Sequence, residues 1–470
     1  MTVSLNMNAK LAGAYAFSYF GYDAAGKALY AIGSFVADGH GALNGLIDTN
    51  GNGAGSRSLN TAFSGTYQVA AGGNRGQAVF NLSANPMTFR FSMDSSGDEG
   101  YMIRFDSSGS YGSGAFKRQT TSDFLLSKLN GDYVLAMSGT SYVGDERNAA
   151  VGRLHTDGTG ATSSTSMDVA STTSAPINLT FTGTFVLNSG TGAANGRGMV
   201  AVGVSGLGTL NFSFYMVDQD EAFILSSDQT SLDLPLLTGS IVRQTGGPFS
   251  NASFNGKSVF YLIGITLTTP RRSAVTMGQF DVTNGAGYIA YMYNLGGSAS
   301  SGGSTVNSAI DANGRGTLTS ALFGPYVLYL VAPNSGFLMQ YDNPGTGVGF
   351  GFFEPQSGGP FSNATLSGEY YGGTLLSPTN GVGYGTGIQN WNGGVAWAGT
   401  GDVAGIGVGT MPDISSSGTY YFSDLTGRGN WLQTSPSSYS KAMYVVSPNK
   451  ILFITNESGV INPGFEIFEK

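Results

Sequence analysis

The chain has 470 residues, a formal charge of −8, charged side chains at only 11% of positions, 12% aromatics and 74 glycines. It is too aromatic for disorder and has no Gly-X-Y period for a collagen, while its 21 scattered lysines and arginines form no phosphate-neutralising stripe, which excludes nucleic acid. The lack of cysteine excludes disulfides, zinc-thiolate sites and a thiol nucleophile.

The chain opens on MTVSLNMNAKLAGAYAF, with no basic segment leading into an apolar core, and no run of about 18 apolar residues follows anywhere. No membrane span is expected, and a secreted or cell-surface protein would have its signal peptide outside this sequence. LAGAY (11–15) starts the first strand and ADGHG (37–41) supplies a tight turn. SGTYQV (64–69) reads as a later strand, NRG (74–76) as an arginine turn, TFRFSM (88–93) as a half-buried strand of period two, and GAFKRQ (114–119) as the last strand. The succession then repeats. LNGDY (129–133), FNGKS (254–258) and LSGEY (366–370) restart it, and GRG recurs at 196–198, 314–316 and 427–429.

The junctions repeat as well: QTGGPFSNAS (244–253) returns as QSGGPFSNAT (356–365), and QTTSDF (119–124) keeps the same Gln-to-Phe offset. Gln119, Gln244 and Gln356 are each followed by Phe124, Phe249 or Phe361 and then by Gly131, Gly256 or Gly368. These offsets divide the chain into four β-units, 1–120, 121–245, 246–357 and 358–470. In the last unit the runs 366–374, 384–390, 395–402, 414–422, 430–434, 439–446, 451–456 and 463–469 read as strands. The fold class is therefore all-β, with four tandem units of about eight antiparallel strands. Closure as up-and-down barrels removes the free edges, with each last strand pairing its unit's first. The alternative is a β-propeller with eight four-stranded blades.

VADGHGALNG (36–45), after LAGAY, resembles the second hairpin of avidin-like barrels over about thirty residues per unit. The resemblance implies barrel architecture. Biotin binding does not come with it, because the wall of tryptophans is missing from three units. As a whole, the chain looks like the tandem glycine-rich repeats of proteins exported by soil bacteria of acidobacterial type, which implies secretion and assigns no site.

Arg75, Arg197, Arg315 and Arg428 head the repeated turn, and a guanidinium there suits a structural bidentate pair with the recurring Asp48, Asp168 or Asp402. Asn294 is read as the third unit's counterpart of those acids. DTNGNG (48–53) matches the opening of a calcium loop, so Asp48, Asn50 and Asn52 are the metal candidates, with Leu59 where such a loop has glutamate. No other metal and no cofactor is expected. His40 and His155 lie at or beside hairpin turns, and the few glutamates lie mostly in turns such as GDEG (97–100), so no catalytic residue is named and no enzyme is expected. Trp397 and Trp431 align with apolar positions and read as core. Trp391 aligns with Ala37, Thr156 and Thr283 and reads as an outward-facing, ligand-binding aromatic. The composition thus points to a non-enzymatic extracellular structural or surface repeat protein, an adhesive, coat or filament component. The alternative is a barrel that binds a glycan or other small ligand; the partners expected are glycans or other copies of the chain.

Overall fold

The computed structural model describes residues 7–83, 85–142, 146–188, 195–204, 208–231, 234–267, 269–320, 324–341, 347–375 and 379–470. Alternating side chains and glycine turns produce strands throughout, and no α-helix occurs among these residues. The strands form four antiparallel up-and-down sheets. Barrel 1 closes by pairing Ala12–Tyr22 with Tyr111–Arg118, barrel 3 by pairing Gly256–Ile265 with Phe350–Pro355, and barrel 4 by pairing Ser367–Thr374 with Phe465–Glu469. Barrel 2 pairs Asn130–Thr140 with Leu236–Arg243 and nearly closes. Its remaining seam is bridged between Ala161 and Thr184, with Thr162 Oγ1 donating to Gly183 O at 3.1 Å. Eight-stranded closure rather than four-stranded blades excludes the propeller.

The repeated motifs do local work inside each barrel. Asp38 Oδ1 accepts the N–H groups of His40, Gly41 and Ala42 at 2.7, 2.9 and 3.0 Å, which fixes the first tight turn with Gly39 at φ +77°. The motif tyrosines Tyr15, Tyr133 and Tyr370 are buried and donate to Gly97 O, Gln219 O and Pro448 O at 2.8, 2.8 and 2.5 Å. Inward aromatics fill the first barrel, where Phe63 and Phe80 stack at 4.5 Å and Phe17 and Phe80 meet at 5.4 Å.

At the junctions, the Gln side chain grips the arginine turn of the following barrel. Gln119 Nε2 donates to Asn195 O and Met216 O, Gln244 Nε2 to Asn313 O and Leu330 O, and Gln356 Nε2 to Thr426 O and Val445 O. Phe124, Phe249 and Phe361 are buried against the glycine of the same turn. The near-identical junctions therefore exist because each performs the same docking.

The outer faces of the barrels bury one another in a head-to-tail cycle. Tyr215, Phe223 and Leu225 of barrel 2 pack on Ala16, Tyr30 and Ile32 of barrel 1, and Val327, Tyr329 and Met339 of barrel 3 pack on Val134, Ala149 and Val151 of barrel 2. Barrel 4 places Tyr444, Leu452 and Ile454 on Val259, Val275 and Met277 of barrel 3. The cycle closes where Ile103 of barrel 1 meets Tyr384 and Ala404 of barrel 4. A heterologous contact repeated with closure gives a ring.

Candidate functional site

Three of the four turn arginines pair with an acid, and each acid belongs to a neighbouring barrel. Arg197 Nε lies 2.9 Å from Asp48 Oδ2, Arg315 holds Asp168 bidentately at 2.7 and 2.8 Å, and Arg75 NH2 lies 2.6 Å from Asp402 Oδ2. All three carboxylates are buried. Arg428 makes no ion pair among the described residues. Asn294 is not the counterpart of these acids: its amide donates to Thr455 O and Glu457 O, as that of Asn50 donates to Ser226 O and Asp228 O. The counterpart by register is Met292, buried in the same apolar seam as Tyr444. The Tyr444 hydroxyl has no partner, whereas the Tyr329 hydroxyl donates to Asp168 Oδ2 at 2.7 Å.

The calcium reading is overturned by what these oxygens and nitrogens touch. Asp48 is occupied by Arg197, and Asn50 and Asn52 present amide donors rather than converging oxygens, Asn52 Nδ2 giving bonds to Thr140 Oγ1 and Ser141 O at 3.1 and 2.7 Å. The three alternate residues belong to the interface between barrels 1 and 2. Among the described residues no group of three or more His, Cys, Asp or Glu side chains is placed to hold a metal ion. His155 Nδ1 lies 2.9 Å from Asp132 Oδ1 on a strand. His40 stays in its turn and donates its backbone N–H to Asp38.

Trp391 does not face outward; it is 3% exposed, with its ring 4.5 Å from Tyr420 and 6.2 Å from Phe453. Its true counterparts Ala37 and Thr156 are small but buried, and the third unit is displaced by a one-residue slip. Ala37 pairs Leu43, Thr156 pairs Thr162 and Trp391 pairs Trp397 across their turns, but the third unit's Asn-Gly turn is shorter, so Val282 pairs Gly287. Val282, not Thr283, is the counterpart of Trp391, and the slip moves a side chain to the other face. Trp397 and Trp431 are buried as expected, stacked at 4.3 Å.

Correct register exposes a difference between the barrels. The first-strand position two residues after the motif tyrosine (Ser258 in barrel 3), the second-strand residue opposite that tyrosine and the sixth-strand residue opposite the fifth strand's Ala78 or its equivalent are Phe17, Phe35 and Phe89 in barrel 1. They are Leu135, Leu154 and Phe212 in barrel 2, and Phe260, Phe280 and Tyr326 in barrel 3. All nine are buried apolar residues. Barrel 4 has Gly372, Gln389 and Lys441 instead.

At Gly372 the Phe468 ring fills the space a side chain would take, whereas Gln389 and Lys441 border a cavity of about 300 Å³ in barrel 4, lined also by Gly387, Gly401, Trp431, Gln433, Tyr439 and Glu466. Lys441 Nζ lies 2.5 Å from Glu466 Oε2 and 4.9 Å from the Trp431 ring. Burial draws the Lys441 pKa down, but Glu466 and Tyr439 outweigh it and hold the ammonium above the usual lysine range. Gln433 Nε2 donates to Ser437 O at 3.1 Å. Two buried wall atoms have no partner among the described residues: Gln389 Oε1, an acceptor, and Trp431 Nε1–H, a donor. Leaving such groups unpaired costs about 1–3 kcal/mol each. The cavity thus offers donors, acceptors and one neutral ion pair to a ligand that can satisfy them.

No family model matches the chain, and no curated protein matches it. Among solved structures, kievitone hydratase from Nectria haematococca is 9% identical, covering 51% of this chain and 92% of its own, with a TM-score of 0.21. Transferrin binding protein B from serogroup B Neisseria meningitidis is 11% identical, covering 72% and 75%, with a TM-score of 0.20. A transferrin binding protein B from Haemophilus parasuis is 10% identical, covering 81% and 82%, with a TM-score of 0.19. Likenesses this distant carry no functional information. No helix is long and apolar enough to cross a membrane.

Proposed function

We propose that the protein is a non-enzymatic binding protein of the cell exterior, in which barrel 4 receives one small, neutral, hydrogen-bonding ring such as a monosaccharide. Barrels 1 to 3 are the scaffold that the repeated composition implies. The observation that carries the reading is the exchange of two buried apolar positions for Gln389 and Lys441, both lining the cavity, in one barrel of four. Eight-stranded barrels are either filled or hold one small ligand; barrel 1 is filled by aromatics and barrel 4 has an interior cavity. A neutral ligand is favoured because Lys441 and Glu466 already compensate each other, and vicinal hydroxyls can accept from one while donating to the other. The resemblance to exported glycine-rich repeats supports a place outside the cell. The head-to-tail contact that a filament would need is consumed in closing the ring, which favours binding over a filament or coat.

The test is calorimetric titration with a panel of monosaccharides, comparing the wild type with Gln389→Phe, which restores the side chain of barrel 1. Binding should be lost by at least tenfold in the variant while its unfolding midpoint stays level or rises. Equal binding by wild type and variant, or no ligand in the panel, would sink the reading.

A further inference from the structure

A second cavity of about 450 Å³ lies where the four barrels meet, walled by residues from all of them. It has room for about fifteen waters at ~30 Å³ each, whereas close-packed interiors rarely contain voids much larger than one. The walls come from the outward faces of the strands that close each barrel, and their register sorts them into levels. On one level stand Lys117, opposite Ala16, Glu354, opposite Val259, and Glu469, opposite Tyr371. The next two levels carry Ser18, Ala115, Ser240, Phe352 and, further along, Phe20 and Phe350. Ionic groups are thus confined to one end, and Phe223 extends the apolar wall.

At the ionic end, Lys117 Nζ lies 2.8 Å from Glu221, and Lys450 Nζ lies 2.9 Å from Glu354 and 3.0 Å from Glu469. Glu99 accepts a hydrogen bond from the Tyr371 hydroxyl at 2.7 Å, and Glu469 accepts one from Tyr101 at 2.7 Å. Four carboxylates and two ammonium groups therefore cluster at this end, Glu99 and Glu469 standing behind the wall formed by the Lys117–Glu221 and Lys450–Glu354 pairs. Lys117, Glu221, Glu354 and Lys450 line the cavity and keep between 20% and 35% of their side-chain surface accessible.

We infer that this central cavity binds a small amphipathic amine, its ammonium at the level of Glu221 and Glu354 and its hydrocarbon tail along Phe20, Phe223 and Phe350. The two acids in excess over the lysines of this cluster, Glu99 and Glu469 lying just behind the wall, leave its end of the cavity with net negative charge, which attracts a cation in a low-dielectric enclosure and repels a carboxylate of the same shape. The apolar levels supply burial of roughly 0.8 kcal/mol per methylene, which an inorganic cation cannot collect. The field at this end is negative by a second measure: both lysines hold their protons above the usual range, Glu221 and Glu469 outweighing burial.

The full chain should be titrated calorimetrically at pH 7 with n-octylamine, n-octanol and octanoate, the three probes sharing one tail. Octylamine is expected to bind at least tenfold more tightly than octanol, and octanoate not at all. Ala115→Phe, which fills the cavity from its wall, should abolish octylamine binding. Glu354→Gln leaves Lys450 paired with Glu469 and should cost octylamine about tenfold while leaving octanol unchanged. Octylamine binding no tighter than octanol, or undiminished in both variants, would overturn the inference, and either result would leave sugar binding in barrel 4 untouched.

Discussion

Arg315 and Arg428 head the same turn in neighbouring barrels, yet only Arg315 has an acid to hold. Asp168 is fully buried, so removing its guanidinium strands a charge away from water. Arg315→Ala should therefore cost about 3 kcal/mol, and Arg428→Ala less than about 1 kcal/mol, as read from urea unfolding midpoints. Equal losses would show that the turn, rather than the pair, carries the energy. The arginine and the acid were both legible in the sequence as repeated residues. That each acid serves a neighbouring barrel was not, because four similar repeats do not say which copy meets which. Trp391 shows how local such a failure is: the small residues Ala37 and Thr156 at its position are buried, so size does not report exposure there, and the shorter turn at Asn284 and Gly285 displaces the third unit's alignment by one residue.

At the scale of elements, the strands were readable because period-two alternation and glycine turns act locally. The last barrel's eight strands, from Ser367–Thr374 to Phe465–Glu469, fall where the alternation places them. The cavity of barrel 4 was not readable, since it depends on which inward positions lack bulk once register is right. The junction makes its own demand on one glycine. Gly314 has φ +84°, and a Cβ there would lie 2.7 Å from Gln244 Nε2 and 2.9 Å from the Phe249 ring. Gly314→Ala should cost more than about 2 kcal/mol, the left-handed backbone accounting for ~1–2 of it. Gly55→Ala, at φ +72° with nothing within 4 Å of the added carbon, should cost only the backbone share. If thermal melts show the two variants equally destabilised, the Gln–Phe docking contributes nothing. The same docking bears on the unit boundaries: Thr120, Thr245 and Ser357 donate their N–H groups to Val217 O, Val331 O and Val446 O, so these junctions are tied down rather than loose linkers.

For the whole molecule, ring closure rests on a contact between barrels that are far apart in sequence, and it includes ionisable groups whose state sets a pH range. Glu469 is pushed up by burial, but Lys450, together with the hydrogen bonds from Tyr101 and Lys450, pulls it below its ordinary 4.5. A depressed carboxylate contributes stability that is complete above 4.5 and is lost as pH falls through the lower folded-state value. Lys450 behaves in the opposite sense: held above its ordinary 10.5, it contributes stability that is complete below 10.5 and fades as pH rises through the folded-state value. Between these limits the contribution from the pair should be flat. Glu469→Gln removes the acid limb and leaves the Tyr101 hydroxyl with a neutral acceptor, so at pH 7 it should cost about 1.5–3 kcal/mol, the range for hydrogen bonds to charged groups. That cost should shrink as pH falls below 4.5 through the lower folded-state value, because the wild type there progressively loses the same charge. Urea unfolding of both proteins from pH 7 down to pH 3 would show the curves converging. Parallel curves would mean that Glu469 does not titrate with the folding of the ring, and the seam between barrels 4 and 1 would then owe its stability to Arg75, Asp402 and the apolar contact around Tyr384.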